Sequence, residues 1–560
     1  MPQKKEIIKH LKEIANLLDF NNANRFKVNA FKNGATALKS TNENIEPYIK
    51  DKTLTHIKGI GKGIQQVIYE FSEKGESSER AELIAKTPKG ILELFKVRGL
   101  GAKKIQLLYD ELNISSIADL EHACNDKSIL SVKGFTEKGR QNLLEEISNL
   151  DRYSSKVRLN AAYNIVNEIT EQLQKLDCEV KFDVTGDLRR NTEIISKIEI
   201  LIYVNTKAEF YKKISNIYNY NILEQVTYSE ISIEELFEIP IKLYVIDDES
   251  SYYNTLFQTT GSKSFVSNFG DRIFEFSVKS EEKLFDKLNT TYVIPEMREQ
   301  QYFDYAPHLT KNSNLNFDKF KGLLHFHTTQ SDGLNSLEEM TGAANKMGFE
   351  YAAVCDHSKT AVYANGLNED AILEQRKIVD TINSKNGIKV FHGIESDILS
   401  DGSLDYAEEI LSQFDFIVIS IHSSFTMGEE EMTNRIIKAV ENKYADVLAH
   451  PTGRLLLARE PYKVNIKKVI DACAANDVAI EINANPQRLD LDWREIYYAR
   501  EKGCKFAINP DAHSVGGISD INYGIKIARK GGMQSEDVIN CYSTSDFIKF
   551  LNRKVKRKTD

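Results

Sequence analysis

Between Gly322 and His513, nine side chains of the kinds that bind metal ions stand at or near the ends of apolar, strand-like runs. They are His325, His327, Asp332, His357, Glu395, His422, His450, Asp511 and His513. The chain has only 11 histidines, so composition does not account for six of them in these positions. In LLHFH and PDAH the ligand-type residues are two apart. A strand sends residues i and i+2 to one face, so each pair can grip one cation. Mixed imidazole and carboxylate donors suit Mn²⁺ or Zn²⁺, and Fe is compatible. Nine such residues exceed the roughly four ligands of one structural zinc, which implies two or three divalent ions. Divalent ions about 4 Å apart are suited to phosphoester hydrolysis, because they generate hydroxide and stabilise both the attacking and the leaving oxygen. A lone histidine at a strand end is ordinarily a satisfied core residue, but six with three carboxylates form a constellation.

The runs AAVCDH, VFHGIE, FIVISIH and VLAH each end on one ligand, and VAIEIN (478–483) and KFAINP (505–510) complete the series. Helical spacing separates them at 336–348, 367–385, 430–444 and 464–476. Seven strand-helix units with chemistry at the strand ends imply a parallel, distorted (β/α)7 barrel with its site at one mouth. Arg454 in HPTGR and Arg488 in NPQRLD follow strand ends. Either could clamp a phosphate, since guanidinium matches phosphate oxygens bidentately, or equally serve a surface ion pair. Asp356 is placed to orient its neighbour His357.

GLLHFHTTQSDG, CDHS, GIESDIL, SIHSSF, AHPTGR and NPDAHS resemble the successive motifs of the polymerase and histidinol phosphatase (PHP) domain. The version is similar to that at the carboxyl end of bacterial family X DNA polymerases. The resemblance implies three metals: one on His325, His327, Glu395 and Asp511, a second on Glu395, His422 and His450, and a third on Asp332, His357 and His513. Leu323 stands where the family often has Asp.

The 560 residues imply several domains. Net charge is −9, yet residues 1–150 carry 24 Lys+Arg against 20 Asp+Glu, so DNA contact is expected to start there. Six scattered cysteines without a CxxC pair suit a reduced cytoplasm, and no window reaches the roughly 18 apolar residues of a membrane span. A cytoplasmic, soluble monomer is expected.

THIKGIGKGIQQVIYEF and FKVRGLGAKKIQLLYDEL each read as a helix-hairpin-helix. Gly59 and Gly61, then Gly99 and Gly101, allow the tight turn and the approach of a phosphate, and Lys62, Lys103 and Lys104 add charge. A weaker third copy is VKGFTEKGRQNLL. Such elements read backbone rather than bases. The arrangement looks like the front of a family X polymerase, whose eukaryotic repair members use a lyase lysine. The matching position here is Val67, so no lyase activity is expected.

DVTGDLRRNTEI, KIEILIYV, IPIKLYVI and TTGSK resemble the nucleotidyltransferase palm. Its three metal-binding aspartates match Lys197, Glu199 and Lys242. A charged lysine cannot ligate Mg²⁺. Asp187 replaces a serine near the triphosphate, and Gln258 and Thr259 replace an aromatic pair, while Arg189, Arg190 and Thr260–Lys263 persist. A palm fold without polymerase activity is expected.

The expected plan is therefore multidomain α/β. An all-α DNA-end-binding region with its first hairpin (1–85) and a fingers-like hairpin region (86–150) precede an α+β palm and thumb (151–300), a linker (301–320) and the PHP barrel (321–560). The leading reading is a metal-dependent 3′-5′ exonuclease or 3′-end-processing enzyme of DNA repair, acting on gapped, nicked or 3′-ended DNA without sequence preference. Its rivals are an active gap-filling polymerase with exonuclease, a non-catalytic DNA scaffold, and a small-molecule phosphatase. The basic tail 553–558 is a further candidate for touching DNA backbone.

Overall fold

Ile7, Leu11, Ile14 and Leu18 recur at three- and four-residue steps and close the buried face of helix Lys4–Phe20 on Val28, Phe31, Ala35 and Leu38 of helix Arg25–Ser40. Asn24 caps the second helix by accepting from the Phe26 amide. This pair opens the first of two units in the computed structural model, Met1–Ser154 and Ser155–Asp560. The structure describes all residues except 1–3, 42–44, 177–178, 226, 234–238, 306–311, 386 and 554–560. The first unit is helical, with one apolar core over residues 7–83 and a second formed by Phe20 and residues 91–147. Among the described residues no helix is long and apolar enough to cross a membrane.

The second unit begins with a five-stranded sheet in the order Val180–Thr185, Ile198–Val204, Ile241–Ile246, Ser229–Ile233, Asn221–Glu224. Only the pairing of Ile198–Val204 with Ile241–Ile246 is parallel. The run IEILIYV, apolar except for Glu199, lies inside the sheet, and NILE forms the exposed edge.

Seven parallel strands follow: Gly322–Leu323, Tyr351–Val354, Lys389–Asp397, Phe416–Ser420, Val447–Leu448, Ala479–Asn483 and Phe506–Asn509. Helices cover their outer faces, so the strands read as continuous apolar runs. The seam between first and last strands is nearly closed. Phe326 bridges Ala512, and the His327 amide donates to the Ala512 carbonyl at 2.9 Å. Lower down, the Asn540 side chain donates to the carbonyls of Gly322 and Ile508 at 3.0 Å and accepts from the Ile508 amide at 2.8 Å. Phe547 of helix Thr544–Asn552 plugs the bottom, stacked 4.7 Å from Tyr351. The barrel is therefore a packed core open only at the carboxyl ends of its strands.

Sheet and barrel share one apolar core and two charged clamps. Glu299 accepts from Arg190 Nε at 2.8 Å and from the wholly buried Lys530 Nζ at 2.6 Å. Glu193 accepts from Trp493 Nε1 at 3.2 Å and Arg494 at 2.7 Å. The polar stretch read as a linker is laid down on this body where it is described. Leu315 is buried, the Ser313 hydroxyl donates to the Met533 carbonyl, and Asn314 accepts from the Ser535 amide at 2.8 Å. Beyond Arg553, the basic tail lies outside the described residues.

Burial pushes the Glu299 carboxyl up, but Lys530 and Arg190 outweigh it and hold it below the ordinary 4.5. Burial likewise opposes Arg298 and Arg189 at Glu281, with the same net direction. A depressed carboxylate contributes stability above its unfolded pKa, and that contribution is lost as pH falls through the folded one. The second unit should therefore weaken on acidification below about pH 4.5. Glu299→Gln should flatten that part of the profile and cost about 3–5 kcal/mol at neutral pH, because it strips a buried cation of its partner. Urea unfolding between about pH 3 and 7 checks both.

Candidate metal centre and nucleic-acid elements

Along five of the seven barrel strands every second residue points inward, and the inward column turns from apolar to polar as it rises. The columns run Ala353, Cys355, His357; Phe391, Gly393, Glu395, Asp397; Phe416, Val418, Ser420, His422; Ala479, Glu481, Asn483; and Ala507, Asn509, Asp511, His513. The lower members form the barrel's inner apolar core, and the upper members form the site. Two ligand positions turn the chain sharply to reach it. His450 has φ +27° and Asp511 φ +51°, where non-glycine residues are strained and persist only when the surroundings hold them.

Glu395 sits at the centre, with one carboxylate oxygen for each of two histidine groups. Oε2 is 2.9 Å from His357 Nδ1 and 3.6 Å from Nε2 of both His325 and His327. Oε1 is 3.0 Å from His450 Nε2 and 3.5 Å from His422 Nε2. Asp511 Oδ1 lies 3.0 Å from His327 Nε2 and 3.7 Å from His325 Nε2. Towards the mouth, Asp332 Oδ1 is 3.3 Å from His513 Nε2 and 3.7 Å from His357 Nε2. The structure thus gathers all nine expected residues around one cavity. Side-chain exposure rises from 1% at Glu395 and His450 to 32% at Asp332 and 38% at His513. The Asp332 group is therefore the one that meets solvent.

These groupings fit divalent ions. His327, Asp332, His357 and His513 form one set, His325, His327 and Asp511 another, and His357, Glu395 and His422 a third, each with its donor atoms within 4.8 Å of one another. Donors about 2.1 Å from one ion lie roughly 3.0–3.5 Å apart, and the separations here run from 2.9 to 3.7 Å. Buried His325 Nε2, His327 Nδ1, His357 Nδ1 and Glu395 Oε2 have no hydrogen-bond partner, and a cation would satisfy them. Burial pushes the Glu395 and Asp511 carboxyls up, but the surrounding imidazoles hold both well below the ordinary range, as ligands require. Burial, followed by repulsion from His513 and His357, lowers His327 to about 4 and leaves it neutral. His513 resists burial through Asp332 and is pushed up to about 9.

An outer layer fixes these donors. Glu481, fully buried, accepts from His325 Nδ1 at 2.7 Å, the His450 amide at 2.9 Å and Asn509 at 3.0 Å. Asp397 holds His422 Nδ1 at 2.6 Å, and Asn483 donates to Asp511 at 3.1 Å. These residues were missed from sequence. The signal was a carboxylate inside an otherwise apolar strand, VAIEIN, and an acid two places after Glu395.

Asp356 does not touch His357's ring. It accepts from the amide and hydroxyl of Thr328, both at 2.7 Å, and from Gln375 at 2.6 Å, and so fixes the loop between His327 and Asp332. The two arginines part company. Arg454 is buried and bonds the carbonyls of Arg488 and Leu489 and the Asp492 carboxylate, so it shapes a loop. Arg488, on that loop, keeps its Nε 3.6 Å from Asp511 Oδ2 and faces the centre.

In the five-stranded sheet, Lys197 and Glu199 share a face, and Glu199 pairs with Lys242 on the neighbouring strand. The three positions matched to the palm's aspartates therefore do converge. Lys197 donates to Glu199 at 2.6 Å, Tyr244 donates to Glu199 at 2.6 Å, and Lys242 is paired with Glu230. The Glu199 carboxylate leaves no room for a Cβ on Gly186. Asp187 is paired with Arg190, and Arg189 donates to Glu281 Oε2 at 2.6 Å and to Thr260 at 2.7 Å. Thr185 bonds Thr259 at 2.8 Å, tying the TGSK turn to the GDLRR turn; Gln258 precedes Thr259 on that helix.

The first unit repeats one hairpin three times. Gly59, Gly99 and Gly134 have positive φ, and each is flanked by the same amide-to-carbonyl steps: Ile57 to Leu54 and Ile60 to Ile57, Val97 to Leu94 and Leu100 to Val97, Val132 to Ile129 and Phe135 to Val132. Gly61 and Gly101 begin helices Lys62–Lys74 and Ala102–Leu112 without a side-chain cap, and no atom lies within 4 Å of where their Cβ would be. In the third copy Thr136 takes this place and accepts from the Gly139 amide at 3.2 Å. Lys62, Lys103 and Lys104 are exposed, with Lys103 donating to Asn22 and Lys104 to the Gly99 carbonyl. Val67 lies in the unit's apolar core.

Comparison with known proteins gives matches along the chain. Residues 2–77 match the helix-hairpin-helix domain, 91–149 the SAM-like helix-hairpin-helix tandem, and 324–485 the PHP domain. The chain is 32% identical over 572 residues to the "DNA polymerase/3′-5′ exonuclease PolX" of Bacillus subtilis strain 168, covering 98% of this chain and 99% of that one. It is also 27% identical over 248 residues to a "probable phosphatase" of Acetivibrio thermocellus, covering 43% of this chain and 98% of the relative. A "probable phosphatase" of Shewanella frigidimarina matches at 23% over 253 residues, 43% of this chain and 97% of the relative.

Because Glu395 faces two histidine groups, Glu395→Ala should release more than one ion per chain. Glu481→Gln keeps every ligand but should weaken metal binding about 10- to 100-fold. Elemental analysis after dialysis against graded chelator checks both; full metal content in the Glu395 variant would contradict the shared role.

Proposed function

This chain belongs to the PolX family of bacterial DNA polymerases, and from that premise we propose that it is a metal-dependent phosphodiesterase which shortens or trims DNA 3′ ends in repair, with a palm that does not polymerise. The observation that carries the reading is a contrast within one unit. The barrel keeps a complete, ionised donor set around Glu395, while the palm has Lys197 salt-bridged onto its one remaining carboxylate, Glu199.

Two or three Mn²⁺ or Zn²⁺ ions, or Fe, would be held by the nine barrel residues and would supply Lewis acidity and a nucleophile at neutral pH. Glu481 and Asp397 hold His325 and His422 in the tautomers that leave Nε2 free. Arg488 stands where its guanidinium can orient a phosphodiester beside Asp511. The open amides at Gly61 and Gly101, with Lys62, Lys103 and Lys104, suit DNA phosphates, so binding is independent of sequence and weakens with salt. The third hairpin, with Thr136 over its amides, is the weaker candidate.

A second reading, gap-filling synthesis together with exonuclease, is favoured by the name of the Bacillus subtilis relative. It requires Lys197 to release Glu199 and a further acid to take the place of Lys242. For the leading reading, the joint substitution His325→Ala and His327→Ala should abolish shortening of a labelled 3′ end and keep DNA affinity within about twofold, since the hairpins carry it. Undiminished cleavage would reject the barrel as the site.

A further inference from the structure

Among the described residues only 11 large apolar side chains are exposed, and four of them stand on three loops that carry metal-type ligands. Leu334 comes two residues after Asp332, Val362 and Tyr363 five and six after His357, and Val515 two after His513. These loops form one rim. The Leu334 amide donates to the His513 carbonyl at 2.7 Å, the Val515 amide to Asn335 Oδ1 at 3.1 Å, and Asn365 to the Ser331 carbonyl at 3.4 Å.

The turn Val362–Ala364 inverts the usual order of burial. Its small neighbours Ala361 and Ala364 are fully buried, whereas Val362 is 79% and Tyr363 70% exposed. Burying alanines to display a valine and a tyrosine is unfavourable in water unless something apolar covers them. The Tyr363 ring lies 6.2 Å from the ring of His357 and 6.4 Å from that of His422, beside the donor cluster and on the solvent side. A ligand that fits must place an anion at the donors and a flat apolar face on the rim, and a nucleotide has both.

We propose that this rim is a base-binding subsite in which Tyr363 stacks on the nucleobase of the 3′-terminal nucleotide while that nucleotide's phosphodiester lies at the donor cluster. The assignment rests on the exonuclease reading and names its substrate as a nucleotide end whose base is unpaired, since pairing and stacking in a duplex hold a base back from swinging onto the rim. Tyr363 acts as a specificity residue: it positions the end, and the chemistry stays with the barrel donors.

The test compares single-stranded oligonucleotides ending in a normal or an abasic residue, cleaved by wild type, Tyr363→Ala and Tyr363→Phe. Stacking on one aromatic ring predicts that wild type favours the normal end about tenfold or more in KM, that the alanine variant loses this preference, and that phenylalanine keeps it. A 2-aminopurine at the terminal position, read by fluorescence without turnover, should be quenched on binding wild type and the phenylalanine variant but not the alanine variant. An equal loss on normal and abasic ends, or equal quenching in all three proteins, would overturn the subsite. If wild type shortens neither oligonucleotide, the exonuclease reading fails, and the quenching comparison still decides whether Tyr363 stacks on a base.

Discussion

Glu395 is a carboxylate buried at the top of a barrel, within 3.6 Å of nitrogens from five histidines. An isolated buried carboxylate is costly, and three more acids, Asp511, Glu481 and Asp397, lie in the same layer. Imidazoles balance this charge only where they are protonated: against burial, the acids push His325, His357 and His513 up, whereas burial keeps His327 neutral. Divalent cations balance it fully, so the fold and the chemistry make the same demand. That demand also explains the register. Inward positions are apolar where strands must pack and become donors only at the last one or two steps, which keeps the polar layer thin.

The five-stranded domain shows the complementary outcome. There Lys197 pairs with Glu199 and Lys242 with Glu230, so the positions matched to the metal-binding acids are held by ion pairs internal to the sheet. Glu193 grips Trp493 and Arg494; Arg494 and Arg454 share Asp492; and Arg454 holds the Arg488 and Leu489 carbonyls of the loop that presents Arg488. A run of polar contacts, open to solvent at Arg494, thus joins the sheet to the loop beside the metal donors. A network of this kind is sensitive to the loss of any member.

Much of this was legible in the chain because ligand chemistry is local. His325 with His327 and Asp511 with His513 announce themselves by two-residue spacing, and the seven units by alternation of strand and helix. The hairpins announce themselves by glycines, although Gly134 with Thr136 shows that one glycine suffices for the turn. What depended on three-dimensional partners was not legible. Arg454 and Arg488 look alike in sequence, yet one holds loop carbonyls and Asp492 while the other faces Asp511, because the difference lies in a loop fold some thirty residues away. Asn540 closes the seam from beyond the last strand, a role that no periodicity signals. Within 312–320, Ser313 and Asn314 bond the barrel's backbone beside exposed polar neighbours, a difference that polarity alone does not signal. Tyr363 went unnoticed because its meaning is its exposure.

The central claim is that a donor cluster organised by Glu395 works on DNA ends while the neighbouring sheet is chemically silent. A 5′-labelled primer on a gapped template, incubated with Mn²⁺ with and without deoxynucleotides and resolved on a sequencing gel, tests both halves at once. The account predicts a ladder of shortened primers in both lanes. Primer extension in the nucleotide lane would contradict it, and would mean that the Lys197–Glu199 pair opens to admit metal.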